Sequence, residues 1–206
     1  MQAKSAITAD ADEDFLRARF YGLLATLLAA PPPDDLLRRI AALKPDPTPL
    51  GSALGGLALA AMATDPDRVA AEFQTLFIGV TGGDITPYAS WYLTGFLQEK
   101  PLAAVRADMA RLGIERSPDI AEPEDHAAAL LEIMQGLITG LFDAPLSLPG
   151  QKAFYAAHLA SWMPRFLTDL EQAETARFYR AVGTLGRVFL QMETQAFAMI
   201  SEEGSP

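Results

Sequence analysis

Glu122-Pro123-Glu124-Asp125-His126, followed by Ala127-Ala128-Ala129-Leu130-Leu131-Glu132-Ile133-Met134-Gln135-Gly136-Leu137-Ile138-Thr139-Gly140-Leu141-Phe142, decides the fold class. Ala127, Leu130, Leu131, Met134, Leu137, Ile138 and Leu141 recur at the i, i+3, i+4, i+7 spacing that buries one face of a helix. Proline is tolerated in the first turn of a helix, and carboxylates there face the positive end of the dipole. The five leading residues therefore read as a helix start: a solvated acidic turn carried on a rigid, buried element, with His126 at its exposed entry. The dipole disfavours a charged His126 while Glu122, Glu124 and Asp125 favour one, and the sequence leaves that balance open.

The same 3.6-residue period extends in both directions. Asp12 to Ala30 places Phe15, Leu16, Phe20, Leu23, Leu24, Leu27 and Leu28 at helical spacing, and Pro31-Pro32-Pro33 stops it. Asp34 to Leu43 and the Ala/Leu/Gly-rich Leu50 to Ala63 read as further helices. Asp65-Pro66 gives an N-cap followed by proline in the first turn, opening a helix through Val69, Phe73, Leu76 and Phe77 to Gly79. Ser90 to about Gly113 is read as helical with an interruption at Pro101. Gln151 to Leu170 is read as one helix bent at Pro164, with His158 hydrogen-bonded in its buried stripe. Thr175 to about Ser201 is the last helix. No alternating strand pattern and no repeat interrupts this series. The expectation is an all-α protein, a single compact helical bundle over residues 1–206 with eight to ten helices and loose tails at 1–11 and 202–206.

One long segment lacks the period: Gly79 to Pro87, which runs into Pro87-Tyr88-Ala89-Ser90-Trp91-Tyr92. Its glycines match neither the P-loop, since no Gly-Lys-Ser/Thr follows, nor the dinucleotide fingerprint, since no strand precedes. Three aromatics within five residues suit a core edge or a binding surface.

Composition narrows the function. The chain has 206 residues, half of them hydrophobic, no cysteine, and 26 acids against 16 bases for a net charge of -10. That field repels nucleic acid and favours a cationic partner. The lack of cysteine removes disulfides, thiolate metal sites and cysteine nucleophiles, in keeping with a reducing compartment, and the cytoplasm is the expected location. The N-terminus has no apolar core of the signal-peptide kind, and stretches such as Leu54 to Ala63 are too short or interrupted for stable membrane insertion. Catalytic inventory is thin. Residues three before His126 and His158 are Pro123 and Tyr155, so no Glu-x-x-His pair of a di-iron bundle exists, and a His-Glu-x-x-His zinc motif is absent. No metal, no cofactor and no catalytic residue is expected. Two other readings stand beside a binding protein: a helical enzyme using the Asp/Glu/His cluster at 122–126, and a helical ligand-binding regulator.

Glu72-Phe73-x-x-Leu76-Phe77-x-Gly79, Pro87-Tyr88-x-Ser90-x-Tyr92, Glu122-Pro123-Glu124-Asp125-His126, His158-Leu159-x-x-Trp162-x-x-Arg165-Phe166 and Phe178-Tyr179-Arg180-Ala181-Val182-Gly183 together resemble the motifs of the TorD/DmsD family of redox-enzyme maturation chaperones, DmsD-like members above all. Ser161 departs from the family's usual proline before the tryptophan. The resemblance implies a cytoplasmic, non-enzymatic chaperone, a monomer or a helix-swapped dimer. It would bind the twin-arginine signal peptide and catalytic subunit of a molybdopterin-containing oxidoreductase and delay export until cofactor insertion. The matching peptide-binding positions are Phe73, Leu76, Phe77, Pro87, Tyr88, Asp125 and His126; Trp91, Tyr92, Glu122 and Glu124 are added from the residues themselves. In that reading the acids take the guanidinium groups and an aromatic surface around Phe73, Phe77 and Tyr88 takes the apolar segment, provided that the Pro87 loop and the Glu122 turn are neighbours.

Overall fold

The computed structural model describes residues 2–79, 82–117 and 120–200, with side chains from residue 13 onward. Among the described residues it contains no strand. Its helices are α1 (Gln2–Ala29), α2 (Asp34–Ala41), α3 (Pro49–Met62), α4 (Pro66–Phe73), α5 (Ala89–Thr94), α6 (Lys100–Arg111), α7 (Ala127–Thr139), α8 (Leu148–His158), α9 (Met163–Gln172) and α10 (Phe178–Met199), with a π-helical turn at Gln74–Ile78. The all-α expectation holds. The chain's contacts group into two compact units, each built from two separate stretches: Met1–Ala29 with Tyr88–Leu159, and Ala30–Pro87 with Ala160–Pro206.

In the first unit α1 packs along α7. Tyr21, Leu24 and Leu27 on one helix and Leu130, Leu131 and Met134 on the other are fully buried, and each such side chain stabilises the fold by about 2 kcal/mol relative to exposure. Glycine closes α7: Gly140, at φ 76°, donates its N–H to Gly136 O at 2.9 Å.

In the second unit α10 packs against α9 and α3. Of the stripe that the periodicity predicts for it, Phe178, Val182, Leu185 and Phe189 are buried, whereas Met192 and Met199 on the same spacing are exposed and Ala196 is half-buried. Gly183 sits where a Cβ would lie 2.7 Å from Glu171 N and 2.8 Å from Leu167 O, so glycine lets α10 approach the backbone of α9. The start of α10 has no cap from its own N-cap residue, Arg177. Glu72 supplies one from α4, accepting the backbone N–H groups of Arg177 (2.8 Å), Phe178 (3.1 Å) and Tyr179 (2.8 Å). A carboxylate at a helix N-terminus gains from the dipole as well as from charge-assisted bonds.

Several boundaries differ from the sequence reading. α1 begins at Gln2 instead of Asp12, because Gln2 to Ala11 holds no glycine or proline and several strong helix formers; the C-terminal tail, 202–206, lies outside the described residues. Pro101 opens α6 in its first turn. The break before it is made instead by Gly95 at φ 80°. Pro164 likewise opens α9, and the helix read as bent is two helices separated at the boundary between the units.

Glu72→Ala is expected to lower stability by about 2 kcal/mol in urea denaturation, since three helix-start N–H groups lose their acceptor, with Glu72→Gln losing less. Gly183→Ala should destabilise by more than 1 kcal/mol, in the range of other overpacked contacts.

Candidate functional site

The Glu122–His126 segment is a turn ahead of α7 rather than its first helical turn. α7 starts at Ala127, and His126 is its N-cap, with extended backbone and Nδ1 accepting the N–H of Ala128 at 3.1 Å. Histidine here does the work usually given to serine or aspartate. The turn is also not solvated as expected: Glu124 and His126 are 8% exposed and Asp125 1%. Glu122 is exposed.

Burial follows from what the turn packs against, the segment 88–90 from the same unit. Tyr88 and His126 form an isolated antiparallel bridge. Ala89 donates its N–H to Asp125 O at 3.0 Å, and Ser90 donates to Asp125 Oδ2 at 2.9 Å. Asp125 thereby caps α5, whose own N-cap residue, Tyr88, offers no side-chain acceptor. The Tyr88 ring stands edge-on to His126, centroids 5.0 Å apart, and its hydroxyl donates to Glu122 Oε2. Burial, the bond to Glu122 and the charges of Glu122 and Asp125 push the phenol far above its ordinary range, so it remains a donor. Asp125 Oδ1 is buried without a partner.

Glu124 is held by arginines of its own chain. Arg106 Nε and Nη2 both lie 2.9 Å from Oε2, and Arg116 Nη1 lies 3.6 Å from Oε1. Burial pushes this carboxyl up, but the bond from Arg106, its own backbone N–H and the two guanidinium charges outweigh burial and hold it below the usual range. His158 is buried and bonded through Nε2 to Asp108 at 2.7 Å, the core histidine expected from its stripe.

The structure thus brings Tyr88, Glu122, Glu124, Asp125 and His126 together, and Trp91, 45% exposed, is one helical turn beyond Tyr88. Phe73, Leu76, Phe77 and Pro87 belong to the other unit. There Phe73 (6% exposed) and Leu76 (0%) are buried in the core. Phe73, Phe77 and Tyr179 form a mutual aromatic cluster with centroids 5.0 to 5.7 Å apart. The glycine-rich loop returns onto the π-helical turn through Asp84 N–H to Thr75 O (3.2 Å) and Ile85 N–H to Leu76 O (2.8 Å). Residues 80 and 81 of that loop lie outside the described residues. Sequence reasoning missed Arg106 and Arg116 as partners of Glu124, since nothing local links 106 or 116 to 124. It also missed Leu93, Phe96 and Leu97, which are 46%, 68% and 51% exposed; their disruption by Gly95 was the available signal.

No described group of three or more histidine or acidic residues is placed to hold a metal, and no described helix is long and apolar enough to cross a membrane.

Burial depresses the pKa of His126 more than Glu122 and Asp125 raise it, so the imidazole is neutral when folded, with Nδ1 free to accept. The unfolded chain takes up that proton more readily. The stability contributed by neutral His126 is therefore full above pH ~6.5 and is lost as pH falls below it. His126→Asn keeps an N-cap acceptor that does not titrate. Urea midpoints at pH 7.5 and 5.5 should fall further for the parent chain than for this variant.

A family model described as nitrate reductase delta subunit matches residues 43–168. Relatives named Chaperone protein TorD include one from Vibrio cholerae, 29% identical over 143 residues, covering 66% of this chain and 65% of the relative. One from Aliivibrio fischeri is 31% identical over 141 residues, covering 64% and 65%. One from Escherichia coli O81 is 28% identical over 192 residues, covering 85% and 93%. The chain thus spans slightly less than two thirds of the Vibrio and Aliivibrio relatives. A crystal structure described as a redox enzyme maturation protein from Archaeoglobus fulgidus shares the fold, with TM-score 0.59, 18% identity, and coverage of 85% of this chain and 93% of that one. The relatives' name agrees with the TorD resemblance of the motifs, and since the family match takes in more than half of the chain, the chain belongs to the nitrate reductase delta subunit family.

Proposed function

We propose that this chain is a cytoplasmic chaperone that binds the twin-arginine signal peptide of a molybdopterin-containing oxidoreductase subunit and delays its export until the cofactor is inserted. The relatives named Chaperone protein TorD support that class of function. The observation that carries the binding site is the state of the three acids beside Tyr88. Asp125 is committed to the backbone of α5 and Glu124 to Arg106 and Arg116, while Glu122 is exposed and bonded to a phenol instead of a guanidinium. Glu122 is therefore the carboxylate open to a ligand's arginine, and Tyr88 fixes where it points. Asp125 and His126 position it by holding the turn to segment 88–90. Arginine suits such a site better than lysine, because its planar fork can bond the carboxylate while stacking on the neighbouring tyrosine ring.

An enzyme built on the same cluster is disfavoured by the same geometry. His126 Nδ1 and Asp125 Oδ2 both accept backbone N–H groups, which leaves the pair poorly placed to shuttle a proton. Phe73, Leu76 and Phe77 serve by holding the aromatic cluster of their unit, and Pro87 by leading the chain into Tyr88.

Calorimetric titration with a synthetic twin-arginine peptide and its Lys-Lys counterpart tests the reading. We expect binding that weakens with salt, and weakens about tenfold both with Lys-Lys and in Glu122→Gln, the loss of one bidentate charge-assisted contact. A folded chain that binds neither peptide, or binds both equally with and without Glu122, would rule the assignment out.

A further inference from the structure

Segment 91–97 exposes four large apolar side chains in seven residues: Trp91 (45%), Leu93 (46%), Phe96 (68%) and Leu97 (51%). This is no frayed end. Thr94 Oγ1 donates to Ser90 O at 2.8 Å and accepts the N–H of Phe96 at 3.3 Å. Ser90 Oγ, on a fully buried residue, accepts the N–H of Glu99 at 3.1 Å and closes the base of the loop. Two residues take left-handed backbone to make the reversal, Gly95 at φ 80° and Gln98 at φ 59°. A loop tied at its base, with one non-glycine residue in a disfavoured conformation, keeps its apolar groups outward. Contiguous exposed apolar surface of this kind marks an interaction site.

Its surroundings indicate the occupant. Ser90 is also the residue whose N–H is held by Asp125, so the loop and the Glu122–His126 turn share one support. Tyr88, the N-cap of α5, and Trp91, three residues on, fall on the same side of that helical turn. Tyr88 in turn holds exposed Glu122. At the far end Glu99 is followed by Lys100, so charge is balanced there. A negative group thus adjoins an apolar ridge at one end only. The matching ligand carries positive charge next to an apolar run.

We propose that the ridge of Trp91, Leu93, Phe96 and Leu97 takes the apolar segment that follows the arginine pair of the peptide, a role the sequence had given to Phe73 and Phe77. This rests on the function proposed above, with Glu122 and the ridge reading adjacent parts of one ligand. Peptide affinity is then divided between an electrostatic and an apolar contact on a single rigid module.

The test uses the full chain and the double variant Phe96→Ser/Leu97→Ser, both positions being exposed, with thermal melting to verify the fold. Each is titrated with the complete peptide and with one whose apolar run is replaced by serine and glycine. The variant should bind the complete peptide about tenfold more weakly and the replaced peptide as the parent does. Equal affinity of parent and variant for the complete peptide overturns the ridge while leaving the signal-peptide reading intact. Failure of the parent to bind either peptide overturns that reading and the ridge with it. Concentration-dependent dimerisation or co-sedimentation with lipid vesicles, present in the parent and abolished in the variant, with peptide affinity unchanged, would give the surface to a second copy or to a bilayer and overturn the proposal.

Discussion

Two of the described helices whose own N-cap residue supplies no side-chain acceptor, α5 and α10, are completed by a carboxylate from far along the sequence. Asp125 caps α5 through Ser90 N at 2.9 Å, and Glu72 caps α10 through three N–H groups. Buried helix starts must find partners, because each orphaned N–H costs on the order of 1–3 kcal/mol. One such cap lies in each unit, and each ties stretches that are distant in sequence. The acids singled out by their motifs are in this sense structural first: they fix where α5 and α10 begin, and every side chain carried by those helices inherits its position from them.

For the candidate site, this constraint redistributes roles among residues that look equivalent in sequence. Glu122, Glu124 and Asp125 read as one acidic patch. In space they face a phenol, two guanidinium groups and a backbone amide respectively. His126, ambiguous on paper between charged and neutral, is settled by burial as the neutral cap of α7. Among the fully buried side-chain polar atoms described in this turn, Asp125 Oδ1 alone lacks a hydrogen-bond partner.

Much of the fold was legible because helix formation is local. The greater part of the stripes of α1, α7 and α10, the proline stop after α1 and the Asp65-Pro66 start of α4 all follow from periodicity and capping, while Phe15, Leu16, Leu141, Met192 and Met199, on the same spacing, are exposed. What escaped was whatever depends on distant partners. Pro123 looks like a first-turn proline, yet the turn is drawn instead into an antiparallel bridge with Tyr88, 38 residues away from His126 in the chain. Pro101 and Pro164 were read as interruptions because proline breaks helices; both open them, and the breaks lie upstream. Phe73 and Leu76 look alike as groove wall or core until burial is known. The aromatic and acidic residues of the site were identifiable, whereas their division into accessible and committed groups was not.

The local charge explains how such a site can discriminate without being strongly acidic. Three carboxylates, two arginines and a neutral histidine leave one net negative charge around Glu122, since -3 + 2 = -1. That is too little to attract a cationic ligand from a distance, where salt at 0.1 M screens beyond about 10 Å. Long-range attraction must come from the chain as a whole, at -10. Under the proposed function, short-range selection would fall to Glu122, the exposed carboxylate of the turn, which accepts the Tyr88 hydroxyl. In the proposed reading Arg106 and Arg116 contribute by removing the alternative: with Glu124 held by both, a ligand's guanidinium would have one partner in the turn, and its apolar continuation one register.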